Sequence, residues 1–536
     1  MRLINCYMKP YIQPFERHLA LKELEALGRT QPTPIDGSPR LASVFSIATA
    51  SDPQRLISRL AYWECVEDGF RFFTRQIRAE ATFNVVRNGI PFEEIRRHLP
   101  FNGSIPLPNR RCLRYGTHGI HEYRGKFFPQ LASALLNIAG LGSRHHVLDP
   151  MCGSGTALVE AIRAGCSAYG LDLNPLSALM SRTKCELLSV QPESVIRSYN
   201  NIREYLLESN ARSDSPLHYF RTLPESDQDY LSKWFSAQVI EGLDRIASYI
   251  DARRPTPVRS LMWLSLSNIL RRASCQKDDD LRVRREVRLD AEIDPIREFL
   301  EELGRSVRLL VSFLYEHGRD GAGPHVIHEG DARAIDGHFA DIRGKVDAVI
   351  TSPPYATALP YLDTDRLSLL YLKLLRRGLH RERDQQMIGN REITNGTRDA
   401  YWKEFCLSKR AYPAKIFNLI ERIDHLNQDT TAGFRRRNLP ALLSKYFSDM
   451  KRVLEKVYGM LKPGSTAFIV VGNNHTIAGG QRVDIKTAAL LFELGSAVGF
   501  KQKEMLSMEM LVSRDIFKKN ASDSEFILFL ERPVQR

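Results

Sequence analysis

The 536-residue chain has no apolar run approaching the roughly 18 to 20 residues that cross a bilayer, and its first stretch, MRLINCYMKPYIQPFERH, lacks the apolar core of a signal peptide. A cytoplasmic, soluble protein is therefore expected, with no membrane partner. The eight cysteines are scattered, without a CxxC pair or a compact Cys/His cluster, so no metal site is expected and reduced thiols are the simplest account. There is no Pro-Cys dipeptide, internal repeat or low-complexity run.

Composition is that of an ordinary globular protein, 43% hydrophobic and 26% charged, and the length allows two to four domains. The formal net charge of +13 favours a polyanionic partner, because a basic surface gains affinity by releasing counterions from phosphates.

Residues 1–110 read as an N-terminal α/β module. A short strand is expected near Pro10 to Pro14, then an amphipathic helix from Phe15 to Leu27 with Leu19, Leu24 and Leu27 at helical spacing. After a Pro/Gly-rich loop, Leu41 to Ala50 has strand or short-helix character, and helical patterns cover Arg55 to Val66 and Phe70 to Ala79.

From Thr117 the pattern tightens. HEYRGKFFPQ, with Lys126 and Phe127, precedes a helix expected to begin near Pro129, where proline suits a first turn. HHVLDP then reads as a short strand ending at Asp149, followed by Met151-Cys152-Gly153-Ser154-Gly155-Thr156 and a helix from Ala157 to Ala164. A glycine turn between strand and helix lets backbone approach a ligand and directs helix N-terminal amides at it. This turn is neither GxGxxG nor a phosphate loop, since no Gly-Lys-Ser/Thr follows. The next strand, Ser167 to Leu171, ends in Asp172, where an acid can receive ribose hydroxyls.

Gln191 to Gly321 interrupts the α/β alternation and reads as largely helical, clearest where Phe299, Leu303, Val307, Leu310 and Leu314 fall on one face. Within it, Ser267 to Arg288 carries seven Lys/Arg against four Asp/Glu, either a solvated face or a phosphate-contacting one. A strand at His325 to His328 leads to Asp331. The apolar stretch from Val346 then runs into Thr351-Ser352-Pro353-Pro354-Tyr355. Consecutive prolines hold the loop extended, so its carbonyls can accept from a substrate amine, and Tyr355 can stack on a planar ligand. Alone, this segment fits a strand's exit turn equally well. A variable region with Arg435-Arg436-Arg437 precedes a closing unit: a helix from Leu442 to Leu461, a Lys462-Pro463-Gly464 turn and a strand from Thr466 to Val471. A Gly-rich loop from Gly472 to Gly480, a helix from Ile485 to Val498 and strands near Lys501 to Leu506 and Glu525 to Leu530 complete it.

In this order HEYRGKFFPQ, VLDPMCGSGT, GLDLNP and VDAVITSPPY resemble the motif set of S-adenosylmethionine-dependent DNA methyltransferases that modify exocyclic amino groups. The resemblance covers about residues 115–185 and 325–530. It implies a Rossmann-like class I methyltransferase sheet over 111–190 and 322–536; the helical insertion 191–321 departs from the family's compact pattern and is a candidate DNA-recognition region. It implies S-adenosyl-L-methionine as cofactor, Lys126 and Phe127 flanking its methionine part, and Asp149, Gly153 and Gly155 lining its loop. Asp172 would bind the ribose and Asp331 the adenine amine, while Ser352, Pro353, Pro354 and Tyr355 would hold a flipped base. Serine before Pro-Pro favours cytosine-N4 over adenine-N6 in that family. DNA is the implied partner, with a restriction or defence-system partner also in scope. Arg271, Arg272, Arg284, Arg285 and Arg435 to Arg437 are the candidate DNA contacts. The rivals are a tRNA guanine-N2 methyltransferase, toward which the Phe15 to Leu27 pattern points, and a non-catalytic DNA-binding protein on the same fold.

Overall fold

The computed structural model describes residues 1–536 except 11, 88, 101–113, 124, 126, 209–216, 277–292, 319–322, 357–360, 392, 429–432, 510–523 and 535–536. Two sheets organise the chain. The N-terminal one contains β1 (Arg2–Met8), β2 (Thr33–Pro34), β3 (Val44–Thr49), β4 (Trp63–Asp68) and β5 (Phe70–Phe73), in the order β2-β3-β1-β4-β5 with every neighbour antiparallel. The strand expected at Pro10 to Pro14 lies instead at Arg2–Met8, where Ile4, Cys6 and Met8 alternate inward. The helix expected over Arg55 to Val66 is shorter, Pro53–Arg59, and the one expected over Phe70 to Ala79 is displaced along the chain to Arg75–Arg87. Between them Trp63 to Phe73 forms a hairpin turned at Gly69, whose φ of +77° suits glycine. Aromatic and β-branched residues packed on a half-buried sheet outweigh the helical spacing there.

The central sheet has seven strands: β6 (His146–Asp149), β7 (Ser167–Asp172), β8 (His325–Glu329), β9 (Val346–Thr351), β10 (Leu461–Gly472), β13 (Lys501–Glu509) and β14 (Ser524–Glu531). Their order is β13-β14-β10-β9-β6-β7-β8. β8 to β10 run parallel through β7, β6 and β9, and β14 lies antiparallel to both β10 and β13. Strand residues alternate between two apolar layers: Val147, Ala348, Phe468 and Phe529 face one, Leu148, Val349, Ile469 and Leu528 the other. Burial on both faces is why these strands read as continuous apolar runs. Strand order reverses between β6 and β9, which opens a crevice at their carboxyl ends. This topology is the Rossmann-like methyltransferase fold.

Three details of the closing unit differ from expectation. The Gly472 to Gly480 segment is largely a hairpin of β11 (Asn474–Ala478) and β12 (Gln481–Ile485), turned at Gly479-Gly480, both at positive φ. The helix expected from Leu442 spans Phe434–Met460 and passes through Pro440. Proline leaves the Arg436 carbonyl without its helical donor, and the Asn427 side-chain amide donates to it at 2.9 Å. The Lys462-Pro463-Gly464 turn is an irregularity inside β10.

The helical insertion, including Pro192–Glu208, Ala237–Asp251, Pro257–Ala273 and Pro295–His317, shares an apolar core with Leu362 to Met387. The N-terminal module shares its core with the central sheet. Buried Glu23 accepts from the Ala61 and Tyr62 amides and from Asn137, and burial raises its pKa to about 7. No helix among the described residues is long and apolar enough to cross a membrane.

Candidate active site

Three strand tips converge. β6 ends at Asp149, and the following loop holds Gly153 at φ +51° and Gly155 at φ +79° before the helix Thr156–Arg163. A Cβ on Gly153 would come within 2.8 Å of the Tyr123 ring, and one on Gly155 within 2.9 Å of Ser181, so glycine is required twice. At the tip of β7, Asp172 accepts from the Gly153 and Asn174 backbone amides, each at 2.8 Å, which ties the second strand to the first loop. Burial raises the Asp172 pKa to about 6 and that of Asp149 to about 7. Asp331, beyond β8, is chelated by the Arg333 guanidinium, which also reaches Asp449 at 2.7 Å. Burial alone would raise Asp331, but Arg333 holds it below the usual carboxylate range.

These tips line one cleft of about 810 Å³, its open mouth included. Of the residues singled out from sequence, Phe127, Asp149, Gly153 and Asp172 line it, as do Asp331, Ser352 and Pro354. Gly155 sits behind, at the helix start. Lys126 lies outside the described residues. The sequence reading did not single out Asn174, Met387 or Ile388, which also line it. Asn174-Pro175 does carry a helix-start signature, with the Asn174 side chain capping Leu176 at 3.1 Å.

The Ser352 to Tyr355 loop leaves β9 beside β6. Pro353 is buried, while Ser352, Pro354 and Tyr355 are half-buried. Tyr355 does not itself line the cleft: its hydroxyl donates to Glu525 on β14, and its ring packs against Gly472, where a Cβ would come within 2.8 Å. Asn474 of the β11–β12 hairpin donates to the Ala356 carbonyl at 2.7 Å, so the loop's exit is held as well. Burial pushes the Cys152 thiol well above its ordinary pKa; it stays protonated and is no nucleophile at neutral pH.

The basic candidates are dispersed. Arg271 and Arg272 end the helix Pro257–Ala273, and Arg272 pairs with Glu298 at 3.4 Å and Glu302 at 3.9 Å. Arg284 and Arg285 lie outside the described residues. Arg435, Arg436 and Arg437 occupy the first turn of Phe434–Met460, and the Arg436 and Arg437 side chains are exposed. Cations at a helix N-terminus oppose the macrodipole, at about 0.3–1 kcal/mol each, so this triplet does not serve helix stability. His118 and His121 are buried structural groups, bonded to Glu160 at 2.8 Å and Ser267 at 3.0 Å. Among the described residues no group of three or more His, Cys, Asp or Glu could hold a metal ion.

The cleft's charge decides what it can take. In a chain of net charge +13, its described lining carries three carboxylates, Asp149, Asp172 and Asp331, and no lysine or arginine. That lining offers no cation to a dinucleotide's phosphates. It suits a nucleoside bearing cationic sulfonium and ammonium groups, with Phe127, Met387 and Ile388 as apolar walls. Fold and cleft define an S-adenosyl-L-methionine-dependent methyltransferase.

Sequence similarity to known proteins agrees with this class. Residues 121–211 match the family described as UPF0020, RMKL-like, methyltransferase domain. The chain is 25% identical over 390 residues to the type II methyltransferase M.MvaI of Kocuria varians, covering 70% of this chain and 80% of that protein. It is 21% identical over 440 residues to the type II methyltransferase M.BsoBI of Geobacillus stearothermophilus, covering 75% and 83%. A solved structure of TTHA0409 from Thermus thermophilus, complexed with S-adenosyl-L-methionine, aligns with a TM-score of 0.19 at 16% identity over 38% of this chain and 52% of that one.

The raised acids give cofactor binding a pH dependence. Their folded pKa values exceed the ordinary carboxylate value, so the stability linked to their protons is present at low pH and lost as pH rises through about 6 to 7. A cationic, hydroxyl-donating ligand favours the ionised forms. Cofactor affinity is therefore expected to rise through that window with proton release, measurable by calorimetry in buffers of different ionisation heat; uptake of protons would contradict it.

Proposed function

We propose that the chain methylates an exocyclic amino group of a base in DNA, cytosine-N4 in preference to adenine-N6, at a specific sequence. The observation that carries this reading is that Ser352 and Pro354 open onto the same cleft as the three acids, with β9 directly beside β6. The amino donor and the methyl donor would thus meet at one strand reversal. The relatives named type II methyltransferases support the same reading.

Bound cofactor supplies an electrophilic methyl group on sulfur. Asp172 would hold the ribose hydroxyls, Asp331 would receive the adenine amine, and Phe127 would flank the methionine part. Asp149, Gly153 and Gly155 shape the loop beneath. The target base leaves the duplex at a cost of a few kcal/mol and stacks on Tyr355. Its amino group donates to Ser352 and to the Pro353 carbonyl, which directs the nitrogen lone pair at the methyl carbon. Positioning carries most of the rate, and no covalent intermediate is formed. Residues 191–321 contribute to DNA recognition, and residues 1–110 form a module built onto the methyltransferase domain.

The test is a competition between duplex DNA and tRNA for labelled methyl groups. Labelling of DNA that excess tRNA does not suppress is expected; transfer to tRNA alone would replace this reading with the guanine-N2 one.

Reversing Arg436 and Arg437 to glutamate separates DNA contact from structure. Removing one cation from a phosphate lowers the salt dependence of binding by about one unit of log–log slope. The same change places acids at a helix N-terminus, which stabilises it. Weaker DNA binding with a shallower salt slope and an unchanged or higher melting temperature is expected, and an unchanged slope would remove these residues from the interface.

A further inference from the structure

The joint between the N-terminal module and the central sheet holds a cluster of arginines that the catalytic reading does not use. Arg59 ends the helix Pro53–Arg59 and Arg75 begins Arg75–Arg87, both in the N-terminal module. Arg163 ends Thr156–Arg163, the first helix of the central sheet. With Gln76, Ser133 and Glu160 these residues line one small cavity.

Its charge is unbalanced. Glu160 is the only carboxylate among the lining residues, and it is fully committed: to His118 at 2.8 Å, Tyr115 at 3.1 Å, Arg163 at 2.7 Å and the Ser133 hydroxyl. No carboxylate among the described residues forms an ion pair with Arg59 or Arg75. Arg59 donates through Nε to Asn137 at 3.0 Å, and Arg75 through Nε to His317 at 3.2 Å and through Nη1 to the Arg163 carbonyl at 3.3 Å. Two buried donors meet no acceptor, Arg59 Nη2 and Arg163 Nε, and the Arg163 side chain is only 6% exposed. Nearby Glu23 is a weak counter-charge, because burial raises its pKa to about 7.

A buried guanidinium N–H without an acceptor costs about 1–3 kcal/mol, and packing cations together adds repulsion. A water could take the free N–H groups but would leave the charge; the Gln76 side-chain oxygen, also without a partner, would prefer water. Charge therefore decides. The cavity is half open, and the space of about 20 Å³ between these side chains fits a single solvent-sized occupant such as a halide.

We propose that a small inorganic anion of halide size binds between Arg59, Arg75 and Arg163 and pins the N-terminal module to the methyltransferase sheet. An anion held only in the folded state stabilises it by mass action. Thermal unfolding of the full chain should therefore show a midpoint several degrees higher in sodium chloride than in sodium gluconate of equal ionic strength, with a saturable response. Arg59→Gln should abolish that difference, and Arg75→Gln should do the same. Equal midpoints in the two salts, or an undiminished chloride response in a folded variant, would overturn the proposal. A second measurement needs no variant: crystals of the native chain grown in sodium bromide should give an anomalous peak within contact of Arg59 and Arg163, and a featureless joint would reject the site.

Discussion

Asp172→Ala is expected to reduce S-adenosyl-L-methionine affinity by two orders of magnitude or more while leaving the chain folded. The carboxylate has two duties in the proposed reading. It would receive the ribose hydroxyls, and it accepts from the Gly153 and Asn174 amides at 2.8 Å, which fixes the glycine loop against the strand tip. Removing it leaves two buried N–H groups unpaired, at about 1–3 kcal/mol each, in addition to the forfeited ligand interactions. Asp172→Asn should fall between, because an amide offers one acceptor oxygen where the carboxylate offers two. Equilibrium binding of labelled cofactor measures this directly. Unchanged affinity in Asp172→Ala would take the residue out of the site.

Tyr355→Ala is expected to show the opposite pattern, with turnover lowered roughly 5- to 150-fold and cofactor affinity held within about twofold. Base stacking on an aromatic ring is worth about 1–3 kcal/mol, and this ring is anchored at both ends. Its hydroxyl donates to Glu525, whose own pKa burial raises, and it packs against Gly472. Tyr355→Phe keeps the ring and loses the anchor, so a smaller fall is expected. Gly472→Ala keeps the tyrosine but pushes on the ring from 2.8 Å, and should lower turnover without touching the cofactor cleft. Single-turnover methylation measured beside cofactor binding separates these effects. Loss of both activities together in Tyr355→Ala would mean that the loop supports the cleft and not the base.

The central sheet and the glycine loop were legible because their signals are local. Val147 to Gly155 places an apolar strand, an acid and two positive-φ glycines within nine residues, and little besides a ligand-facing turn satisfies all three. The long helix at Pro295–His317 was equally plain, since its apolar residues keep one face. What was missed is non-local. Met387 and Ile388 reach the cleft from a helical region more than fifty residues beyond Asp331 and carry no motif. The Tyr355–Glu525 bond joins residues 170 apart. Arg333, two residues from Asp331, was within sight, but only the folded loop turns its guanidinium back onto that acid. Trp63 to Val66 and Phe70 to Phe73 read as helical because spacing alone cannot register a neighbouring strand; they pair with each other as a hairpin that β1 extends.

The central claim is amino-group transfer to DNA by a cofactor cleft and a Ser-Pro-Pro-Tyr loop acting at one strand reversal. Its most direct test is the chemical identity of the product. Unmethylated duplex DNA treated with the chain and methyl-labelled cofactor, digested to nucleosides and resolved by mass and retention, should yield N4-methylcytosine. N6-methyladenine would keep the amino-transfer account and reverse the base preference, whereas 5-methylcytosine would contradict it.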